Sequence, residues 1–361
     1  MDRSTRDASG HRPVRSGIAG TPVDSGIAGT HFVPDGTPIG PDGTPVEPDG
    51  TTALRASDPL NSTGAPVGAS ASPSRTNGSP VGTASPSRRS RDLDHRLLAV
   101  MGRLTDRDRR LCRLLDCHRV LTTAQVADVG FTGERRARMR LGELYALDVL
   151  DRFRPATWAT PAPYHWTLGP LGAALLAAES GLDASTPAWR RTLAHDLAAS
   201  QRLTHLVGVN GFFTALLRST RTRPGCSLDE WWSERRCAHE WGAVVRPDGY
   251  GIWSDRGTTL PFLYEHDNGT EPLGRLAAKL DGYRRLAQAA GHPNWVLFTF
   301  PTPRREHEAA RALAGHGVPV ATATRPPSTP PDAAIWAPLT GNVGDRRMRL
   351  AALAHLPPEV A

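Results

Sequence analysis

Leucines and aromatics become regular only from Leu97, and that late start bounds what the chain can fold into. Residues 1–90 are built from Gly, Pro, Ser, Thr and Asp with hardly an aromatic, and they carry most of the shortfall in a hydrophobic content of 39%. Ser16 to Thr21 recurs as Ser25 to Thr30, and Pro-Asp-Gly-Thr recurs from Pro34, Pro41 and Pro48. These repeats are rich in turn residues but lack an alternating apolar face, so nothing offsets the entropy of ordering them. A disordered, low-complexity tail is expected over 1–90. The rest of the chain is long enough to bury a substantial core.

Net charge is +7, which is consistent with a polyanionic partner. Among 43 basic residues Lys279 is the only lysine, a bias expected of a G+C-rich genome, so arginine richness says little about function. Cys112, Cys117, Cys226 and Cys237 form no CxxC pair and no metal-finger spacing, and reduced, mostly buried thiols are expected. Met1-Asp2-Arg3-Ser4 leads into polar sequence with no apolar signal core. No apolar run reaches the roughly 18 residues that span a bilayer. The expectation is a cytoplasmic protein without membrane contact.

From Arg91 to residue 185 the periodicity predicts three helices and a hairpin. Thr105 is the N-cap of the first, with an acidic opening turn and Leu111, Leu114 and Leu115 at helical spacing. Thr122 or Thr123 caps a short helix to Val129. A third opens at Thr132 and runs towards Leu147, with Met139, Leu141, Leu144 and Leu147 as its expected buried side. Val149–Phe153 and Tyr164–Leu168 then alternate as hairpin strands around a Pro- and Thr-containing tip. That order is a winged helix-turn-helix, whose third helix enters the major groove of double-stranded DNA. Arg135, Arg136, Arg138 and Arg140 crowd its first half and are the expected DNA-binding residues. A further helix to about Ser180 and a longer one from Trp189 to roughly Ser219, bearing His195 and His205, connect this module to the next.

Residues 186–325 turn to strands. Three are expected, from Asp229, from Val244 and over Leu260–Asp267, followed by an amphipathic helix from Leu273 to Ala289, the buried strand Trp295–Phe300, a helix from Arg304 to Ala314 and a strand at Val318–Thr322. Residues 326–361 are set apart as a Pro-rich extension. The expected class is α+β, a winged helix followed by an α/β domain.

That second layout resembles the PD-(D/E)xK nuclease fold. The resemblance implies a divalent metal held between Asp248, which follows Pro247, and Glu265 on the next strand, with Glu230 or Glu234 as a further acid. Carboxylates of this kind suit Mg²⁺, which prefers oxygen ligands. Where the nuclease motif ends in lysine, the chain reads Glu265-His266-Asp267; Lys279 on the following helix stands in as the third catalytic candidate. Its survival as the sole lysine argues for a compact ammonium at that point.

From Leu97 to Ala323 the chain resembles the replication-relaxation family of actinobacterial plasmid and integrative-element proteins. The resemblance rests on Leu104–Asp108, Leu121–Gln125, Tyr164–Gly169, His205 with Asn210, Trp231, Glu234, Arg246–Gly249, Glu265–Glu271 and Lys279–Tyr283. It implies a DNA-binding protein acting in initiation of plasmid or mobile-element replication or mobilisation, with replication or mobilisation proteins as partners. A metal-dependent endonuclease targeted by the winged helix is the alternative.

Overall fold

The computed structural model describes residues 31–32, 38–39, 88–155, 162–181, 193–325, 329–339 and 346–357. The disordered tail expected over 1–90 therefore lies almost wholly outside the described residues. Its described parts are an antiparallel pair, β1 (His31–Phe32) with β2 (Pro38–Ile39), and the start of α1 (Arg88–Met101). The hairpin tip and the chain around Trp189 also lie outside them.

Helix α2 (Asp106–His118) begins where its chemistry asks it to. Thr105 accepts the Asp108 amide and Asp108 reaches back to the Thr105 amide, a reciprocal capping box. Helix α3 (Thr123–Gly130) repeats the device between Thr122 and Gln125. Helix α4 (Glu134–Ala146) follows, starting two residues later than the sequence suggests. Strands β4 (Leu150–Phe153) and β5 (His165–Leu168) pair antiparallel, and β5 also pairs with the two-residue β3 (Leu121–Thr122). Helix α5 (Pro170–Glu179) closes this first core, which gathers Leu111, Leu115, Leu141, Leu144, Trp166 and Leu175.

One expectation for α4 fails. Ala137, Leu141 and Leu144 form its buried seam, at the i, i+4, i+7 spacing of one helical face, whereas Met139 lies nearly opposite and is 62% exposed. Counting leucines without fixing the phase of the helix puts Met139 on the wrong side.

The long connecting helix is also broken. A short α6 (Leu193–Ala198) precedes α7 (Leu203–Thr222), which carries His205. Helix α7 joins the two halves by bonding backbone carbonyls of the first. The Asn210 amide donates to the carbonyls of Val120 at 2.7 Å and His118 at 3.2 Å. Gln125 Nε2 donates to the Val207 carbonyl at 2.7 Å. Arg221 caps the end of α3 through the carbonyls of Ala127 and Asp128 and reaches that of Phe131. Buried polar atoms are thus satisfied across the junction.

The other face of α7 brings Phe212, Phe213 and Leu216 onto a six-stranded sheet of order β11-β10-β9-β8-β7-β6. Strands β6 (Cys226–Ser233), β7 (Gly249–Asp255) and β8 (Thr258–His266) form an antiparallel meander. Between β6 and β7 lies α8 (Glu234–Trp241), a helix the sequence pattern does not announce, and β7 opens at Gly249 rather than at Val244. Helix α9 (Leu273–Ala290) crosses over to β9 (Trp295–Phe300), parallel to β8, and α10 (Pro303–Leu313) to β10 (Val320–Thr324), parallel to β9. All six residues of β9 are buried, as befits a strand covered on both faces. Helices α9 and α10 pack on the face opposite α7.

The Pro-rich C-terminal stretch is built into this sheet. Strand β11 (Ala337–Pro338) pairs with β10, Trp336 is fully buried, and a 3-10 turn at Leu350–His355 adds Leu350 and Leu353 to the α7-side core. The described chain is thus mixed α+β. No helix among the described residues is long and apolar enough to cross a membrane. The four cysteines are free; Cys112 and Cys237 are buried, Cys226 is half-buried and Cys117 is exposed.

Candidate functional site

Two groups of residues stand out, one acidic and one basic. The acidic group gathers where β7 and β8 end beside each other. The ladder sets Gly249 opposite Tyr264, and the next step brings Asp248 beside Glu265. Both are buried, at 8% and 2% exposure. Burial raises the Glu265 pKa and the Asp248 charge raises it further, outweighing Lys279 and leaving it well above the ordinary carboxylate range.

Each carboxylate oxygen has a donor. His205 Nε2 lies 2.9 Å from Asp248 Oδ1, and the His266 amide donates to Asp248 Oδ2 at 2.8 Å. Lys279 Nζ donates to Glu265 Oε2 at 2.8 Å, and the Tyr283 hydroxyl donates to Glu265 Oε1. Glu271 stands 3.6 Å from the same ammonium. Burial works against the Lys279 charge, but Glu265 and Asp248 outweigh it and its pKa is raised. For His205 burial likewise pulls down, the hydrogen bond and charge of Asp248 pull up more strongly, and the net shift is upward.

Asp248, Glu265 and Lys279 therefore come together as expected, but Glu234 does not join them. It opens α8, half-exposed, with Oε1 2.7 Å from Arg202. The four oxygens of Asp248 and Glu265 each accept a protein donor, and Lys279 already supplies a cation beside both acids. Among the described residues no three His, Cys, Asp or Glu side chains are grouped so as to hold a metal ion. The residues do not fit the Mg²⁺ site set out from the sequence.

The departure from the nuclease lysine now has a local account. Asp267, at the lysine position, accepts from Arg305 of α10 at 2.7 Å. Between the two acids His266 turns to the opposite face, where Arg325 and the Tyr264 hydroxyl meet its ring. Burial pulls its pKa down to about 3, aided by Arg325. Gly208 of α7 makes room for that ring, since a Cβ there would lie 2.0 Å from His266 Nε2.

The basic group lies on the first domain. Arg135, Arg136 and Arg138 are exposed on α4, away from the Ala137–Leu141–Leu144 seam. Arg136 bonds Thr132 at 3.1 Å and Arg138 stands 3.6 Å from Glu134, both local contacts at the solvent face. Arg140 is different. Its guanidinium meets both oxygens of the fully buried Asp108, at 3.1 and 2.7 Å, and also bonds Glu143 and the Arg103 carbonyl. It holds α4 against α2, a contact that the expectation of a DNA-binding arginine there did not include.

Sequence reasoning missed two arginines on and just after β4. Arg152 lies over the rings of Tyr145 and Tyr164, at 4.3 and 4.2 Å from their centroids, and Arg154 lies 3.8 Å from that of Tyr164. Stacking holds a guanidinium in place while leaving its edge donors available. The alternation of Arg152 and Arg154 opposite Tyr164 was the available signal. It also missed the His205–Asp248 pair, because their contact joins α7 to a turn that sequence spacing cannot bring together.

Residues 112–296, over half of the chain, match the family profile described as replication-relaxation. No curated protein and no solved structure matches the chain.

Proposed function

The chain belongs to the replication-relaxation family, and from that membership we propose that it binds double-stranded DNA in the initiation of plasmid or mobile-element replication or mobilisation. Helices α2, α3 and α4 with the β4–β5 hairpin act as a winged helix-turn-helix. Helix α4 enters the major groove and the hairpin lies along the backbone. The observation that carries this reading is the exposed trio Arg135, Arg136 and Arg138, opposite the buried seam of α4. Arg152 and Arg154 extend the charge onto the hairpin. Binding is driven largely by release of counterions from phosphates.

The second domain, in this reading, has the strand order of a PD-(D/E)xK nuclease but uses Lys279 and His205 to neutralise the acids in place of a metal. It acts as an assembly surface for replication or mobilisation proteins, with no catalytic step. The endonuclease alternative would need a metal to compete with Lys279 and His205 at Asp248 and Glu265, with no third acid grouped beside them among the described residues.

The test is duplex binding across a salt series. Replacing Arg135, Arg136 and Arg138 with alanine weakens affinity and flattens the log–log salt slope by about 2 to 3 units, at ~0.9 for each phosphate no longer neutralised. Wild-type affinity and slope in that variant would rule the interface out. Supercoiled plasmid incubated with protein and Mg²⁺ or Mn²⁺ stays uncut; nicking abolished by Asp248→Ala would restore the endonuclease reading.

A further inference from the structure

Two features of α4 have no use inside the molecule. Met139 is 62% exposed, in the middle of a helix whose other outward side chains are charged or small apart from Tyr145, which is 40% exposed and lies under Arg152. Gly142 lies three residues on, so it shares that face. A Cβ added to Gly142 would meet nothing within 4 Å, so no packing requires a glycine there. Glycine weakens a helix interior, and an exposed thioether keeps apolar surface in water. Both costs fall on one turn of one helix. Together they describe an apolar contact beside bare backbone, the surface needed by a partner that approaches the helix closely at that point.

Charge identifies the partner. Arg135 precedes Met139 by one turn on the same strip, and Arg136 and Arg138 flank it, so the partner is anionic around an apolar spot. A DNA major groove has this pattern, with phosphates on both rims and the thymine C5-methyl group on its floor. Arg135 and Met139 are separated by about 6 Å of helix rise, close to two base-pair steps.

We propose that Met139 is a specificity-determining residue that packs on a thymine methyl group in the major groove, with Gly142 leaving the backbone bare so that α4 can seat deeply enough to reach it. This rests on the reading of α4 as the groove-entering helix. Nearby arginines set affinity and register through phosphates, whereas Met139 distinguishes one base pair.

The experiment uses the full chain and a random duplex pool. A bound site is selected with wild-type protein, and each thymine in it is then replaced by deoxyuridine, which removes only the methyl group. Wild type loses affinity about three- to tenfold at one position. Met139→Ala binds the thymine and uracil duplexes equally, with an unchanged salt slope. Gly142→Ala binds more weakly although its melting temperature does not fall.

Equal thymine-over-uracil discrimination by wild type and Met139→Ala overturns the proposal, as does a selected site with no methyl-sensitive thymine. A change of oligomeric state in Met139→Ala without loss of discrimination also overturns it, and makes this face a self-association surface. If no duplex is enriched, or if the Arg135/Arg136/Arg138 variant binds as wild type does, the DNA-binding reading falls too. Those outcomes are separable from failure of Met139 alone.

Discussion

Lys279, the only lysine of the chain, stands 2.8 Å from Glu265 at the end of β8 and supplies a cation to two buried acids at once. A lysine brings a compact point charge, whereas an arginine would bring a broad planar fork. The Tyr283 hydroxyl completes the second oxygen of Glu265. This relationship leads to the first prediction.

Lys279→Met leaves Glu265 buried without its counter-ion and lowers stability by about 3 kcal/mol. Adding Glu265→Gln to the same chain removes the stranded charge and recovers much of the loss. Chemical denaturation of wild type, single and double variants measures it, and a double variant no better than Lys279→Met would refute the pairing. Millimolar Mg²⁺ leaves the wild-type melting temperature unchanged, because an ion that does not bind the native state cannot stabilise it.

Arg140→Ala acts on folding. It uncovers Asp108, a fully buried carboxylate whose pKa burial would raise but which the Arg140 hydrogen bond, with Thr105, holds below the ordinary value. A loss of about 2 kcal/mol is expected, with the salt slope of DNA binding unchanged in the folded protein. Arg135→Ala gives the reverse outcome, a shallower salt slope with melting temperature unchanged. Measuring both quantities on both variants separates the internal arginine from the exposed one.

The His205–Asp248 pair gives stability a pH signature. The folded His205 pKa lies above its ordinary 6.5, so its contribution is complete below pH 6.5 and is lost as pH rises through the folded value. For Asp248 burial raises the pKa, but the His205 hydrogen bond and charge outweigh it and lower it from 3.8. Its contribution is therefore present above pH 3.8 and lost on further acidification. The stability difference between wild type and His205→Gln is flat from about pH 4 to 6.5 and shrinks above it. Denaturation curves at stepped pH test this; a difference that grew above pH 7 would contradict the sign.

Asn210→Ala removes the donor shared by the Val120 and His118 carbonyls at the junction of the two halves. Two buried acceptors lose a partner, and a destabilisation of about 2 kcal/mol is expected. Because the missing bonds join the halves, hydrogen exchange should rise along the α7–α3 junction before it rises in β9. Uniform exchange in both would mean that the bonds contribute no coupling.

Elements whose signals are local are legible in the sequence. The capping boxes at Thr105 and Thr122, the period-2 strands of the hairpin, and the apolar run of β9 each occur within a few residues. The α9 crossover between strands likewise places Lys279 near Glu265 from chain order alone. What stays hidden depends on tertiary geometry. Met139 continues a leucine series and so reads as core, and only the packing of Ala137 and Leu141 in the first core sets the phase of α4. Arg140 reads in the chain as one more arginine of a basic run, since its partner Asp108 is 32 residues away. Helix α8 is obscured by its flanking tryptophans, whose rings meet each other and Tyr250 rather than alternate along a strand.

Helix α7 carries carbonyl-seeking side chains at Asn210 and Arg221 and receives a third bond from Gln125, so the first domain is gripped at three levels along the axis. Such a grip transmits rotation. If α4 sits in a groove as proposed, the six-stranded sheet would be carried around the duplex at one azimuth, and a protein docked on that sheet would be presented to one side of the DNA. Moving the binding site by half a helical turn relative to a neighbouring element would turn the sheet away from it, whereas a full turn would restore it. Under the proposed DNA-binding reading, spacing along the DNA would be sensed through the stiffness of this junction.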